Sequence, residues 1–98
     1  MNKEGFYKSS NEPNLPVPII ARGIWDKKEE FLRKLGEKES KVWENHYKGC
    51  STCRICKCKN GSGEFKSGGW IWPSGLSHYV KEHDVVPSAG FQLFILGN

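Results

Sequence analysis

The chain predicts a small α+β domain held together by a metal where a larger protein would rely on its core, and three observations carry that prediction. Its 98 residues make one domain with no room for a second core, and only 37% of them are hydrophobic. Cys50, Cys53, Cys56 and Cys58 crowd into a single stretch, where a domain of this size commonly places a staple. His78 and His83 then follow on a segment of helical character. A Cys-x-x-Cys turn facing two histidines is zinc-ligand spacing. The expected architecture is therefore a zinc-stabilised α+β domain: a zinc knuckle, a short β-hairpin and a helix, with flanking helices and an extended N-terminal arm.

Residues 1–24 form the arm. Pro13, Pro16 and Pro18 break any helix and favour polyproline-like backbone around Leu15 and Val17. Pro13-Asn14-Leu15-Pro16 fits the P-x-x-P pattern read by aromatic grooves, and packing of the arm on the chain's own helices is the competing expectation. Residues 25–98 form the zinc-binding domain, with a finger-like unit over 50–84. Its first helix is expected to start at Asp26, an N-cap with Glu29 three positions on, and to stop at Gly36. Between them Phe31, Leu32 and Leu35 make an apolar stripe. A second short helix from about Glu39 to Tyr47 would place Val42, Trp43 and His46 on one side.

After Gly49 the texture changes to a tight cysteine-bearing turn, followed by the loop signal Asn60-Gly61-Ser62-Gly63. Glu64–Lys66 and Trp70–Trp72 read as strands joined by Ser67-Gly68-Gly69, with Trp70 and Trp72 on one strand face. Pro73 ends the second strand, Ser74 caps a helix running to about His83, and Ser88 opens a last helix carrying Phe91, Phe94 and Ile95.

Compartment decides what the cysteines do. The opening Met1-Asn2-Lys3-Glu4-Gly5-Phe6 lacks the apolar stretch of a secretory signal, and the apolar run from Phe91 to Leu96 is too short to span a bilayer. A cytoplasmic chain keeps its thiols reduced, and clustered cysteines there bind metal more often than they pair. One structural Zn²⁺ ion on Cys53, Cys56, His78 and His83 is the expected site. Twenty-one residues separate Cys56 from His78, room for the hairpin and the first helical turn. The five-residue step to His83 puts that ligand at the helix end, where the chain can bend. Cys50-x-x-Cys53 is also a suitable pair, and Cys58 can replace either member. The Cys53–Cys56 turn is preferred because it carries one central apolar residue, Ile55, and leads directly into the glycine-rich loop.

Charge points weakly to partners. Lys and Arg number 15 against 11 Asp and Glu, a net charge of +4. Most of the excess lies at 41–66, where Arg54, Lys57 and Lys59 are the candidate nucleic-acid contacts; a solvated loop around the knuckle explains the same residues. Zinc deaminase chemistry is excluded, because no His-x-Glu precedes the cysteine pair. His83-Asp84-Val85-Val86-Pro87 only faintly resembles the Asp-His-x-x-Pro of small metal-dependent nucleases, with the His–Asp order reversed. A non-catalytic module that binds a protein partner is the leading expectation, a zinc-finger-like nucleic-acid binder the second and a nuclease the third.

Several of these segments together resemble a widespread group of short bacterial and phage proteins without a settled activity. They are Cys53-Arg54-Ile55-Cys56, Asn60-Gly61-Ser62, and Trp72-Pro73-Ser74-Gly75 leading to His78-Tyr79 and His83. That group shows C-R-x-C, N-G-S and W-P-x-G-x-x-H-Y-x-x-x-H. The resemblance covers about residues 50–96, with Ala21-Arg22-Gly23 and Trp25 upstream. It implies a metal role for the four ligands and no particular activity; in a phage, a host defence or transcription component would be the natural partner. Such proteins often carry Gly after the second Cys, where this chain has Lys57.

Overall fold

The computed structural model describes residues 1–42, 44–46 and 49–97. In chain order it contains β1 (Asn2–Lys3), α1 (Lys28–Ser40), β2 (Glu44–His46), β3 (Gly63–Ser67), β4 (Trp70–Pro73), α2 (Leu76–His83) and α3 (Ala89–Leu96). The strands form one sheet in the order β1-β4-β3-β2. β1 runs parallel to β4, while β3 is antiparallel to both β4 and β2. Among the described residues, no helix is long and apolar enough to cross a membrane.

The expected hairpin is present, with Phe65 opposite Trp72 across β3 and β4. Both side chains turn to the same face and join Phe31, Leu35, Leu76, Val80, Phe91 and Ile95 in the main core. Strand alternation puts Trp70 on that face too, where its ring packs edge-on against Phe91 at 5.1 Å and stacks with Phe94 at 6.3 Å. Trp72 is fully buried, and its indole N–H donates to Glu39 Oε2 at 2.9 Å. Burial pushes the Glu39 carboxyl up to about 7, and the nearby charge of Glu44 adds to that, while the Trp72 bond works against it.

Four expectations are corrected. The first helix begins at Lys28 rather than at an Asp26 cap: Lys27 occupies the N-cap position without a side-chain bond, and Asp26 lies in the preceding turn closed by Lys28 N–H to Trp25 O. Gly36 does not stop it. The helix runs four residues further, far enough for Glu39 to meet Trp72. The second helix is absent: Glu39 and Ser40 end α1, and Glu44–His46 pairs with β3 instead. The open edge of β3 offers backbone partners that a lone short helix cannot match. His46 is exposed on that strand, and Val42 packs against the core; Trp43 and Tyr47 lie outside the described residues. Ser74 does not cap α2, whose N-cap is Gly75; its hydroxyl accepts from Gly63 N–H at 3.2 Å and so pins the start of β3.

The proline-containing segment begins inside the sheet rather than outside it. Asn2 N–H donates to Gly69 O and Glu4 N–H to Ile71 O. The buried Glu4 carboxylate then accepts from Ser88 N–H at 3.0 Å and Ser88 Oγ at 2.7 Å. Ser88 Oγ in turn accepts from Phe91 N–H, the expected cap of α3. Glu4 thus does for α3 what the acidic residue of a capping box does locally, from the far end of the chain.

Candidate metal centre

Cys53, Cys56, His78 and His83 each bring one ligand atom to a common point, and those atoms all lie within 4.8 Å of one another. The knuckle that presents the cysteines is built from backbone bonds. Cys53 N–H donates to Cys58 O at 2.9 Å, and Lys57 N–H donates back to Cys53 O at 3.0 Å. Cys56 N–H points at Cys53 Sγ, 3.5 Å away across the turn. Closing so tight a turn drives Lys57 to φ 66°, the left-handed region where a side chain is strained.

The histidines come from α2. His78 lies in its first turn and His83 is its last residue, after which Asp84 turns left-handed at φ 53°. His78 Nε2 is 3.4 Å from Cys56 Sγ. A tetrahedral ion with ordinary metal–sulfur and metal–nitrogen bonds would separate such a pair by about 3.5 Å. The His83 ring sits 5.0 Å from that of His78, and its Nε2 is buried with no hydrogen-bond partner among the described residues. A buried imidazole nitrogen left without a partner beside a pair of thiols is unfavourable unless something binds it. A metal ion fits the four residues on geometry and on that unmet need.

Cys50 and Cys58 stand outside this cluster. Cys50 Sγ is directed at Gly61 O, 3.2 Å away, Cys58 is exposed, and all four cysteines are free of disulfides. The preference for Cys53 and Cys56 over the neighbouring pairings thus agrees with where the side chains meet.

Two groups that support the site were not evident from the chain alone. Tyr79, next to His78, is buried, and its hydroxyl accepts from Arg54 N–H at 2.8 Å. Burial raises its pKa, and the Arg54 bond opposes that rise. Tyr7 packs edge-on against it with ring centroids 4.9 Å apart, and its own pKa is raised, first by burial and then by the charge of Glu4. With Cys53 and Val85 these two tyrosines form a second, smaller cluster. The other support explains two loop signals. A Cβ on Gly61 would fall on Ser74 Oγ, and one on Gly75 would fall on Asn60. The Asn60-Gly61 and Ser74-Gly75 segments therefore interlock, holding the knuckle against the start of α2.

The candidate nucleic-acid contacts are partly committed elsewhere. Arg54 donates through Nε to Tyr7 O at 3.3 Å and through Nη1 to Thr52 O, and Lys57 Nζ donates to Arg54 O at 2.9 Å. Lys59 is exposed. Comparison of the chain with protein-family models, with curated proteins and with solved structures gives no match.

Proposed function

We propose that this protein is a non-catalytic zinc module of the reducing cytoplasm that acts by binding a protein partner. One observation carries the metal half of that reading: two thiols and two imidazoles bring ligand atoms within 4.8 Å of one another, with His83 Nε2 buried and unpartnered among the described residues. Two sulfur and two nitrogen donors suit Zn²⁺, and four protein ligands leave it no open position for substrate or water. That closure weighs against a small nuclease. Protein analysed for metal after purification without added zinc should contain one equivalent per chain. Replacement by Co²⁺ should give the absorption of a tetrahedral thiolate site; an absent metal, or a cobalt spectrum without thiolate bands, refutes the reading.

The partner half is supported by the segment beside the site. Val17, Ile19 and Ile20 are 63%, 69% and 52% exposed, an apolar display with no charged residue between Pro13 and Ala21. Nucleic acid gains less support. Base stacking needs exposed aromatic faces, and Trp70 and Trp72 pack into the main core instead. Salt titration with single- and double-stranded probes separates the two: steeply salt-dependent binding lost in Lys57→Glu/Lys59→Glu favours nucleic acid. A bacterial or phage regulatory or anti-defence role is the setting that the resemblance implies.

A further inference from the structure

Residues 7–21 run outside the sheet, between β1 and α1. Their internal bonds are few: Lys8 N–H to Pro16 O at 2.8 Å, a Ser9–Glu12 turn, and Leu15 N–H to Glu12 O. Among the described residues, the hydrogen bonds tying this segment to the rest of the molecule go to two places. At one end Arg54 Nε donates to Tyr7 O, and Arg54 lies inside the turn between Cys53 and Cys56. At the other, Ala21 N–H donates to Asp84 O at 2.9 Å and Val86 N–H to Ile19 O at 2.7 Å. Asp84 is the residue directly after His83. Each half of the metal quartet therefore grips one end of the segment.

We infer that the metal centre is a latch: when metal is bound it closes residues 7–21 into a loop that displays Val17, Ile19 and Ile20, and when metal leaves it releases that loop alone. This rests on the zinc reading above. Among the described residues, what holds the thiol turn to the end of α2 without the ion is the small Tyr7–Cys53–Tyr79–Val85 cluster and the Arg54 N–H to Tyr79 hydroxyl bond. The Asn60–Gly75 interlock acts at the start of α2, and Lys28 ties Lys81 and Asp84 to α1 rather than to the thiols. Residues 2–4 have separate anchors in β4 and Ser88, and the main core contains none of the ligands. Metal loss is then a local opening rather than global unfolding. By reciprocity, anything that loosens the loop at Tyr7 must weaken metal binding.

Amide hydrogen exchange on the full chain, zinc-loaded and after removal of zinc by a chelator, tests this. The amides of Lys8, Ala21 and Val86 should exchange at least about ten-fold faster without metal, while those of Glu4 and Phe31 keep their protection. Unchanged rates at the first three, or equal loss at all five, overturn the latch even if zinc is bound. A chain that takes up no zinc overturns the zinc reading and the latch with it. In the zinc-loaded protein, Tyr7→Ala should lower zinc affinity several-fold in competition with a chromophoric chelator, on the order expected of coupled sites. Tyr7→Phe, which keeps the ring, should restore it. Equal affinity in Tyr7→Ala and the parent protein overturns the coupling.

Discussion

The two apolar clusters of this domain are held by different physics. The larger gathers Phe31, Leu35, Phe65, Trp72, Leu76, Val80, Phe91 and Ile95 from both faces of contact, sheet and helices, and its aromatic rings meet repeatedly at 5–6 Å spacings such as the 5.4 Å between Trp72 and Phe91. The smaller joins Tyr7, Cys53, Tyr79 and Val85, two of them carrying hydroxyls and one a thiol. Dispersion and water exclusion suffice for the first. The second buries little apolar surface for the three separate segments it joins, and on the proposed reading a metal ion supplies what packing does not. This short domain has put most of its buried apolar side chains in one cluster and the Cys53, Cys56, His78 and His83 group beside the other.

Changes that separate the two clusters should differ in size and kind. The largest effect is expected from Trp72→Ala, which empties the main core and leaves Glu39 without its donor; a loss of roughly 3–5 kcal/mol in urea unfolding is the order for a buried aromatic. Next come Cys53→Ser and His83→Ala. Each should abolish stoichiometric metal and remove the stability that binding adds, about 2.7 kcal/mol when free zinc is a hundred-fold above its Kd. Cys50→Ser and Cys58→Ser, outside the cluster, should retain one zinc and nearly full stability. If Cys58→Ser loses the metal while His83→Ala keeps it, the division of ligands is wrong.

A smaller effect belongs to Glu39 and should appear only as a slope in pH. Below its ordinary value of 4.5 the carboxyl is protonated folded and unfolded alike, and contributes nothing. Between 4.5 and about 7 the folded state keeps a proton that the unfolded chain has released, so stability falls as pH rises through that window. Glu39→Gln keeps an acceptor for the Trp72 indole but cannot ionise. Its stability relative to the parent should grow from pH 5 to pH 8, a comparison in which metal-site protonation cancels. A constant difference across that range would show that Glu39 does not titrate there. Smallest are two backbone changes. Gly36→Ala, in open space within α1, should add up to about 1 kcal/mol to the main core. Lys57→Gly should relieve the left-handed strain of the knuckle by a similar amount, about 1 kcal/mol, and show it only in the metal-loaded protein.

What could be read from the chain follows the same division. The hairpin, α2 and the Ser88 cap were legible because each depends on residues close in sequence: a Gly-Gly turn, a strand-ending proline, a hydroxyl three residues ahead of its amide. That Cys53, Cys56, His78 and His83 come together was legible from two local spacings, a Cys-x-x-Cys and a pair of histidines on one helix. What was not legible is decided across long separations. β1 exists because β4 leaves an edge open, and its Glu4 finds Ser88 at the other end of the chain. β2 forms because β3 has an unpaired side. α1 outruns Gly36, and its far end is where Glu39 meets the Trp72 indole. No local propensity in Glu44-Asn45-His46 announces a strand. The tyrosine pair was missed for the same reason, since Tyr7 and Tyr79 become neighbours only when the knuckle closes.

One short helix sits between the two clusters, and its geometry limits how this domain can vary in length. Leu76 and Val80 of α2 join the main core, while His78 and His83 meet Cys53 and Cys56 and Tyr79 joins the smaller cluster. Successive residues on a helix are turned by about 100°. Inserting or deleting one residue between Leu76 and His83 would therefore swing His83 away from the sulfurs, or else drag Val80 out of the core, with no intermediate register that serves both. Proteins descended from a common ancestor with this one should accept gaps in the turns around Ser9–Glu12 and Ser67–Gly69, and none within these eight residues.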